Sequence, residues 1–173
     1  EHVPWEGFVA WDLIMPLFLF IVGVSMPFAF KRRLETGRGG AALYGRIVRR
    51  ILILWVLGMI AQGNLLSVLW TFIQGRPDVS RLHLYSNTLQ AIASGYLVAA
   101  IVMLNIRKLG QILVIAGLLV GFWALMIFVP VPGHGAGVLE PRANLAYYID
   151  ETLLGRFSDG TPYTWILSSM GFA

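Results

Sequence analysis

Residues 13–30 read LIMPLFLFIVGVSMPFAF, a run with no charged side chain. A helix crossing the hydrocarbon core of a bilayer needs about 17–25 mostly apolar residues, and this stretch supplies them. Three further charge-free stretches follow, Ile51–Gly75, Leu82–Ile106 and Gln111–Leu139. None alternates apolar and polar residues at every second position, as a transmembrane β-strand would. Only 13% of the chain is charged and 57% is hydrophobic, with a mean hydropathy of +0.72; soluble domains carry about 25% charged residues. The expected fold is all-α, a polytopic integral membrane helix bundle. It has four full spans and the start of a fifth, in one domain over residues 1–173.

Charge placement orients the bundle. Seven of the thirteen basic residues fall between residues 31 and 50, namely Lys31, Arg32, Arg33, Arg38, Arg46, Arg49 and Arg50. Arg107 and Lys108 occupy a second short loop. Two spans separate these loops, so they share one side, which the positive-inside rule makes cytoplasmic. The net charge of +4 is thus a topology signal and does not argue for nucleic acid. The expected spans are Leu13–Phe30 running inward, Ile51–Ile73 outward after an amphipathic turn from Ile47, Thr88–Leu104 inward and Gln111–Val129 outward. Residues 144–157, NLAYYIDETLLGRF, have helical apolar spacing and read as an interfacial helix. The segment 163–173, YTWILSSMGFA, covers about half a bilayer. Together with a first residue that is not Met, it implies a piece of a longer polytopic protein, incomplete at both ends. No cleavable signal sequence is visible, since the basic cluster follows the first apolar run.

All three histidines (His2, His83, His134) and eight of the nine acids fall at or near the outer face, so any acid–base chemistry belongs there. Asp12, at the mouth of the first span, reads as a helix N-cap or as a carboxylate orienting a nearby imidazole. His2, Trp5 and Trp11 fit an interfacial aromatic belt as well as a site. Gln62, Asn64, Asn87, Gln90 and Ser94 form a polar strip, either interhelical hydrogen bonding or the lining of a cavity. Arg46, Arg49 and Arg50, following the glycines of GRGG, offer charge for phosphates without a Walker pattern. Three scattered histidines and no cysteine argue against a metal site, and no G-x-S-x-G or Ser/His/Asp arrangement supports a hydrolase.

Within residues 2–26 runs the pattern H-x-x-W-x-G-x-x-x-x-D-L-I-x-P-x-F-L-F-I-V-G-V-S, from His2 to Ser25. With TLQAIASGYLVAA, PVPGHGAGVLEP and NLAYYIDETLLG in the same order, the chain resembles the heparan-α-glucosaminide N-acetyltransferase family and its bacterial relatives. Among these are proteins linked to N-acetylglucosamine uptake. The resemblance implies a membrane acetyltransferase that takes acetyl from acetyl-CoA and acetylates a glucosamine-type amine across the bilayer. His2 matches the family's catalytic histidine, with Asp12 beside it. Trp5, Gln90, Asn144 and Asp150 match positions expected to contact the sugar, and Arg46, Arg49 and Arg50 are candidates for the phosphates of acetyl-CoA. Ala91 departs from the pattern, since many relatives have arginine after the glutamine.

A histidine with an ordinary pKa near 6.5 takes a proton from an amine at neutral pH, or accepts the acetyl itself as an acyl-imidazole. A carboxylate such as Asp12 would fix its tautomer. The expected partners are a lipid bilayer and a sugar acceptor, with a homo-oligomer left open, no nucleic acid and no metal. The expected location is a bacterial inner membrane with His2 outside. The rival reading is an N-acetylglucosamine-type permease without acyl transfer; transporters often have broken helices, and Gly63–Asn64 is where the second span would be interrupted.

Overall fold

A computed structural model describes residues 10–35, 40–62, 64–80 and 82–173. A 3-10 turn, Ala10–Leu13, leads into α1 (Ile14–Glu35); α2 (Ala41–Ala61), α3 (Asn64–Ile73), α4 (Thr88–Asn105) and α5 (Lys108–Phe128) follow. Two shorter helices, α6 (Leu145–Leu154) and α7 (Ser169–Phe172), complete the order. No strand occurs among the described residues, so the all-α class holds.

Three helices are long and apolar enough to cross a membrane: α1 over Ile14–Lys31, α4 and α5. The fourth expected span differs. Ile51–Ile73 is expected as one span, with Gly63–Asn64 as its candidate interruption, and there α2 and α3 meet at a bend of 75°. Two features favour a break there. Gly63 and Asn64 are poor helix formers, glycine being about 1 kcal/mol worse than alanine inside a helix. Both flanking side chains also bond outside the helix: Gln62 Nε2 donates to the Ser86 carbonyl at 2.8 Å, and Asn64 Nδ2 lies 3.3 Å from His83 Nδ1.

Other boundaries move as well. α1 continues through Lys31 and Arg32 to Glu35, because Lys, Arg, Leu and Glu all sustain helix. α2 begins at Ala41, so Arg46, Arg49 and Arg50 stand on a regular helix rather than in a loop. Within residues 163–173 only the turn Ser169–Phe172 is helical, so the expected start of a fifth span is shorter than its apolar composition implied.

The two basic segments do lie at one end of the bundle, where the Tyr44 hydroxyl donates to Asn105 Oδ1 at 3.2 Å. α4 is the central helix and touches α1, α2, α5 and α7. Small residues allow this closeness: Ala91, Ala93 and Ala100 are buried, and a Cβ at Gly95 would run into the Phe172 carbonyl. Toward the basic end, Met26, Phe30, Leu43, Ile47, Tyr96 and Ala100 form one core. At the opposite end, Val131, Leu145, Ala146 and Leu167 form a second, backed by Phe122, Leu125 and Met126 of α5.

α5 buries none of its residues and exposes Ile112, Leu119, Val120, Trp123 and Phe128. A helix apolar on all sides suits lipid or neighbouring spans. Its 21 residues extend about 31 Å at 1.5 Å per residue, matching the hydrocarbon core. Cysteines placed singly at Lys108 and His134, in a chain with no other cysteine, are therefore expected to react with an impermeant thiol reagent from opposite faces. Reaction of both from one face would rule α5 out as a span.

Candidate functional site

The predicted polar and charged residues gather in two places. At the basic end, Arg46, Arg49 and Arg50 line a cleft of about 360 Å³ between α1, α2 and α4. Spacings of three and four residues bring them to one side of α2. Ala29 and Phe30 of α1, Leu43, Ile47, Ile53 and Leu54 of α2, and Tyr96 of α4 form the apolar walls. The Arg50 guanidinium carbon lies 4.6 Å from the centroid of the Tyr96 ring, a cation–π contact. All three arginines are exposed. Nothing in the sequence singled out Tyr96, because its partner lies on another helix.

At the opposite end a polar network surrounds the loop before α4. Gln90, 0% exposed, accepts from the Ser86 N–H at 2.9 Å and donates to the Leu84 carbonyl at 2.9 Å. Asn87 caps α4, its Oδ1 accepting from the Leu89 N–H at 2.6 Å, while its Nδ2 donates to the Gly58 carbonyl at 3.1 Å. The Tyr85 hydroxyl sits between Ser94 Oγ at 2.7 Å and Ser169 Oγ at 2.8 Å. Its ring lies between Trp55, at 5.0 Å, and Trp165, at 5.7 Å. Burial raises the Tyr85 pKa; the bonds to Ser169 and Ser94 pull it back, and the negative charge of Asp150 adds to the rise. The phenol therefore stays protonated and can donate.

Asn144 and Asp150 are engaged with the backbone. Asn144 caps α6, with Oδ1 accepting from the Tyr147 N–H at 2.9 Å and Nδ2 donating to the Glu140 carbonyl at 2.9 Å. Asp150, 3% exposed, accepts from the N–H groups of Trp165 at 2.6 Å and Ile166 at 3.0 Å. It thereby fastens α6 to the chain leading into α7. Burial lifts its pKa above the ordinary 3.8; those two N–H bonds lower it, and the charges of Asp159 and Glu151 raise it. The Trp165 indole N–H is buried with no acceptor among the described residues.

Thus Gln90, Asn144 and Asp150, expected to contact a sugar, each hold backbone. Gln90 lies apart from the arginines, in the network at the other end of the bundle. Ala91 is 0% exposed, so an arginine side chain there would have no room in this packing. His2 and Trp5 fall outside the described residues. The Asp12 backbone lies inside the 3-10 turn Ala10–Leu13, which corrects the N-cap reading, because a cap needs non-helical backbone; its side chain is not among those described. Sequence spacing flagged the strip from Gln62 to Ser94, but not Tyr85, whose partner Ser169 is 84 positions away.

The network also constrains α2. A Cβ at Gly58 would stand 2.9 Å from Gln90 Cγ and 3.4 Å from Asn87 Oδ1. With Gln90 buried and bonded at both ends, it cannot yield. Gly58→Ala is expected to destabilise the fold by about 1–3 kcal/mol, as overpacking does, read as a lower thermal unfolding midpoint in detergent. An unchanged midpoint would show that the packing here is looser than described.

No group of histidines, acids or cysteines able to hold a metal occurs among the described residues. Comparison with protein-family models finds no match, and comparison with curated proteins finds none either.

Proposed function

We propose that the chain belongs to a membrane acetyltransferase that moves acetyl from acetyl-CoA to a glucosamine-type amine on the other side of the bilayer. The observation that carries this reading is the arginine cleft. Three guanidiniums on one side of α2 beside an aromatic ring suit a multiply phosphorylated nucleotide, since each fork can bind phosphate bidentately. Among the described residues no carboxylate is paired with them, so their charge is available. In the proposed topology α2 and α3 count as one bent traverse, giving four spans, and residues 163–173 begin a fifth. The basic end faces the cytoplasm of a bacterial inner membrane, and His2 lies outside.

In this reading the arginines hold the phosphates of the co-substrate at the inner face. At the outer face His2 takes the amine proton as the C–N bond forms and the thioester C–S bond breaks. The departing thiolate then collects a proton. Asp12, at the start of α1, orients the imidazole. Acetyl-CoA supplies the activated acyl group; the chain supplies binding, orientation and proton transfer.

One observation favours the permease reading, namely the 75° break between α2 and α3, because interrupted helices often frame transport sites. A single experiment separates the two. The chain is reconstituted in vesicles with labelled acetyl-CoA on one side and glucosamine on the other. Labelled N-acetylglucosamine on the far side supports acetyl transfer, and sugar crossing without acetyl-CoA consumption supports a permease. Absence of both outcomes would overturn both readings.

A further inference from the structure

We infer that Tyr96 is a positioning residue for phosphate recognition: it fixes the Arg50 guanidinium in the cleft with its N–H edges free. This rests on the acetyltransferase reading above and adds a residue to it. An arginine just ahead of the apolar run Ile51–Ile60 would ordinarily extend its side chain toward the interface and water. Arg50 instead lies with its guanidinium carbon 4.6 Å from the Tyr96 centroid. The ring is a firm platform. It is 6% exposed and packed in the core with Met26, Phe30, Leu43, Ile47 and Ala100, so it cannot follow a moving cation.

The chemistry of the contact matters. Stacking uses the face of the guanidinium, while its five N–H donors lie in the plane and point outward. The Arg50 guanidinium carbon lies over the ring and no hydrogen bond engages its N–H groups among the described residues, so its fork is available to phosphate oxygens. An unstacked arginine would lose rotamer freedom when it binds, a cost that preorganisation removes. Arg46 and Arg49 line the same cleft, but among the described residues no aromatic ring lies under either. Arg50 is therefore the anchor, and the other two supply charge around it.

The test measures binding of two probes to the full chain in lipid nanodiscs. One is coenzyme A; the other is acetyl-pantetheine, which has the thioester arm but no nucleotide phosphates. Tyr96→Leu removes the aromatic face, and Tyr96→Phe keeps it. For coenzyme A, Tyr96→Leu is expected to weaken binding by about 2–30-fold, the range of a cation–π contact, with Tyr96→Phe within about twofold of the native chain. For acetyl-pantetheine, all three chains should bind alike. Equal losses of both probes in Tyr96→Leu would show that the ring only supports the core and would overturn the inference. So would coenzyme A binding unchanged in Tyr96→Leu, or lost as fully in Tyr96→Phe. In each of those cases the acetyltransferase reading survives, because the native chain binds coenzyme A. If the native chain binds no coenzyme A, that reading falls and this inference falls with it.

Discussion

Alanine in place of His2 is expected to slow acetyl transfer by about 10²–10⁴-fold, the usual contribution of a positioned general base. A larger loss would mean that the imidazole itself carries the acetyl group. The expectation joins two independent lines: the motif in which His2 resembles a catalytic histidine, and the proposed topology, in which the positive-inside rule would put residue 2 outside. Coenzyme A binding should persist in the variant, since the proposed phosphate site is the cleft of Arg46, Arg49 and Arg50 and does not include His2. Asp12→Asn should cost less rate, because it alters orientation and leaves the base in place. It should also weaken the start of α1 by about 0.3–1 kcal/mol, the worth of a negative charge in a first helical turn. A permease would behave differently, with no acetyl-CoA consumed and only sugar affinity changed. Undiminished acetylation by His2→Ala would remove the basis for the catalytic assignment.

Asp150→Ala is expected to cost about 2–4 kcal/mol of stability. It strips the acceptors from two backbone N–H groups, and each buried donor left without a partner costs about 1–3 kcal/mol. Asp150→Asn keeps one acceptor and should fall between the native chain and alanine. Thermal or denaturant unfolding in detergent measures both. The sign of the pH dependence follows from the raised pKa of Asp150. The folded chain holds this proton to higher pH than the unfolded chain, for which the ordinary value is 3.8. Its contribution to stability is therefore present below 3.8 and is lost as pH rises through the folded value. Asp150→Asn should abolish that slope. If alanine leaves stability unchanged but removes sugar binding, Asp150 contacts substrate and its bonds to Trp165 and Ile166 are incidental.

How much was legible in advance varied with the physics of each feature. Membrane character and the spans at α1, α4 and α5 were readable, because a bilayer imposes a minimum length of apolar residues on any helix that crosses it. The clustering of basic segments at one end was readable from charge placement, and the bond from Tyr44 of α2 to Asn105 at the end of α4 ties their neighbourhoods together. The place of the break between α2 and α3 was legible in Gly63–Asn64, but its 75° angle was not. The residues 62–64 lower helix propensity, yet the bend also depends on Ser86 and His83 accepting or matching the freed side chains.

The candidate site divides the same way. The charge of Arg46, Arg49 and Arg50 follows from sequence alone; their common side of α2 became legible only once the helix was seen to begin at Ala41. Nor does the platform under Arg50 follow from sequence, since Tyr96 reaches it from α4 only once the helices have packed. Gln90, Asn144 and Asp150 announced themselves as polar residues in an apolar chain. Which groups they satisfy was decided by the tertiary structure, because a buried polar atom must be paired and its partner is whatever the fold brings within 3 Å or so. The resemblance directed Asp150 toward a sugar; the folded chain directs it to the backbone of Trp165 and Ile166. Sequence by itself determined the solvent, the helices and the placement of charge, all set by composition and short-range periodicity. Only the packed structure decided hydrogen-bond partners and the arginine cleft, because these depend on distances between residues far apart in the chain.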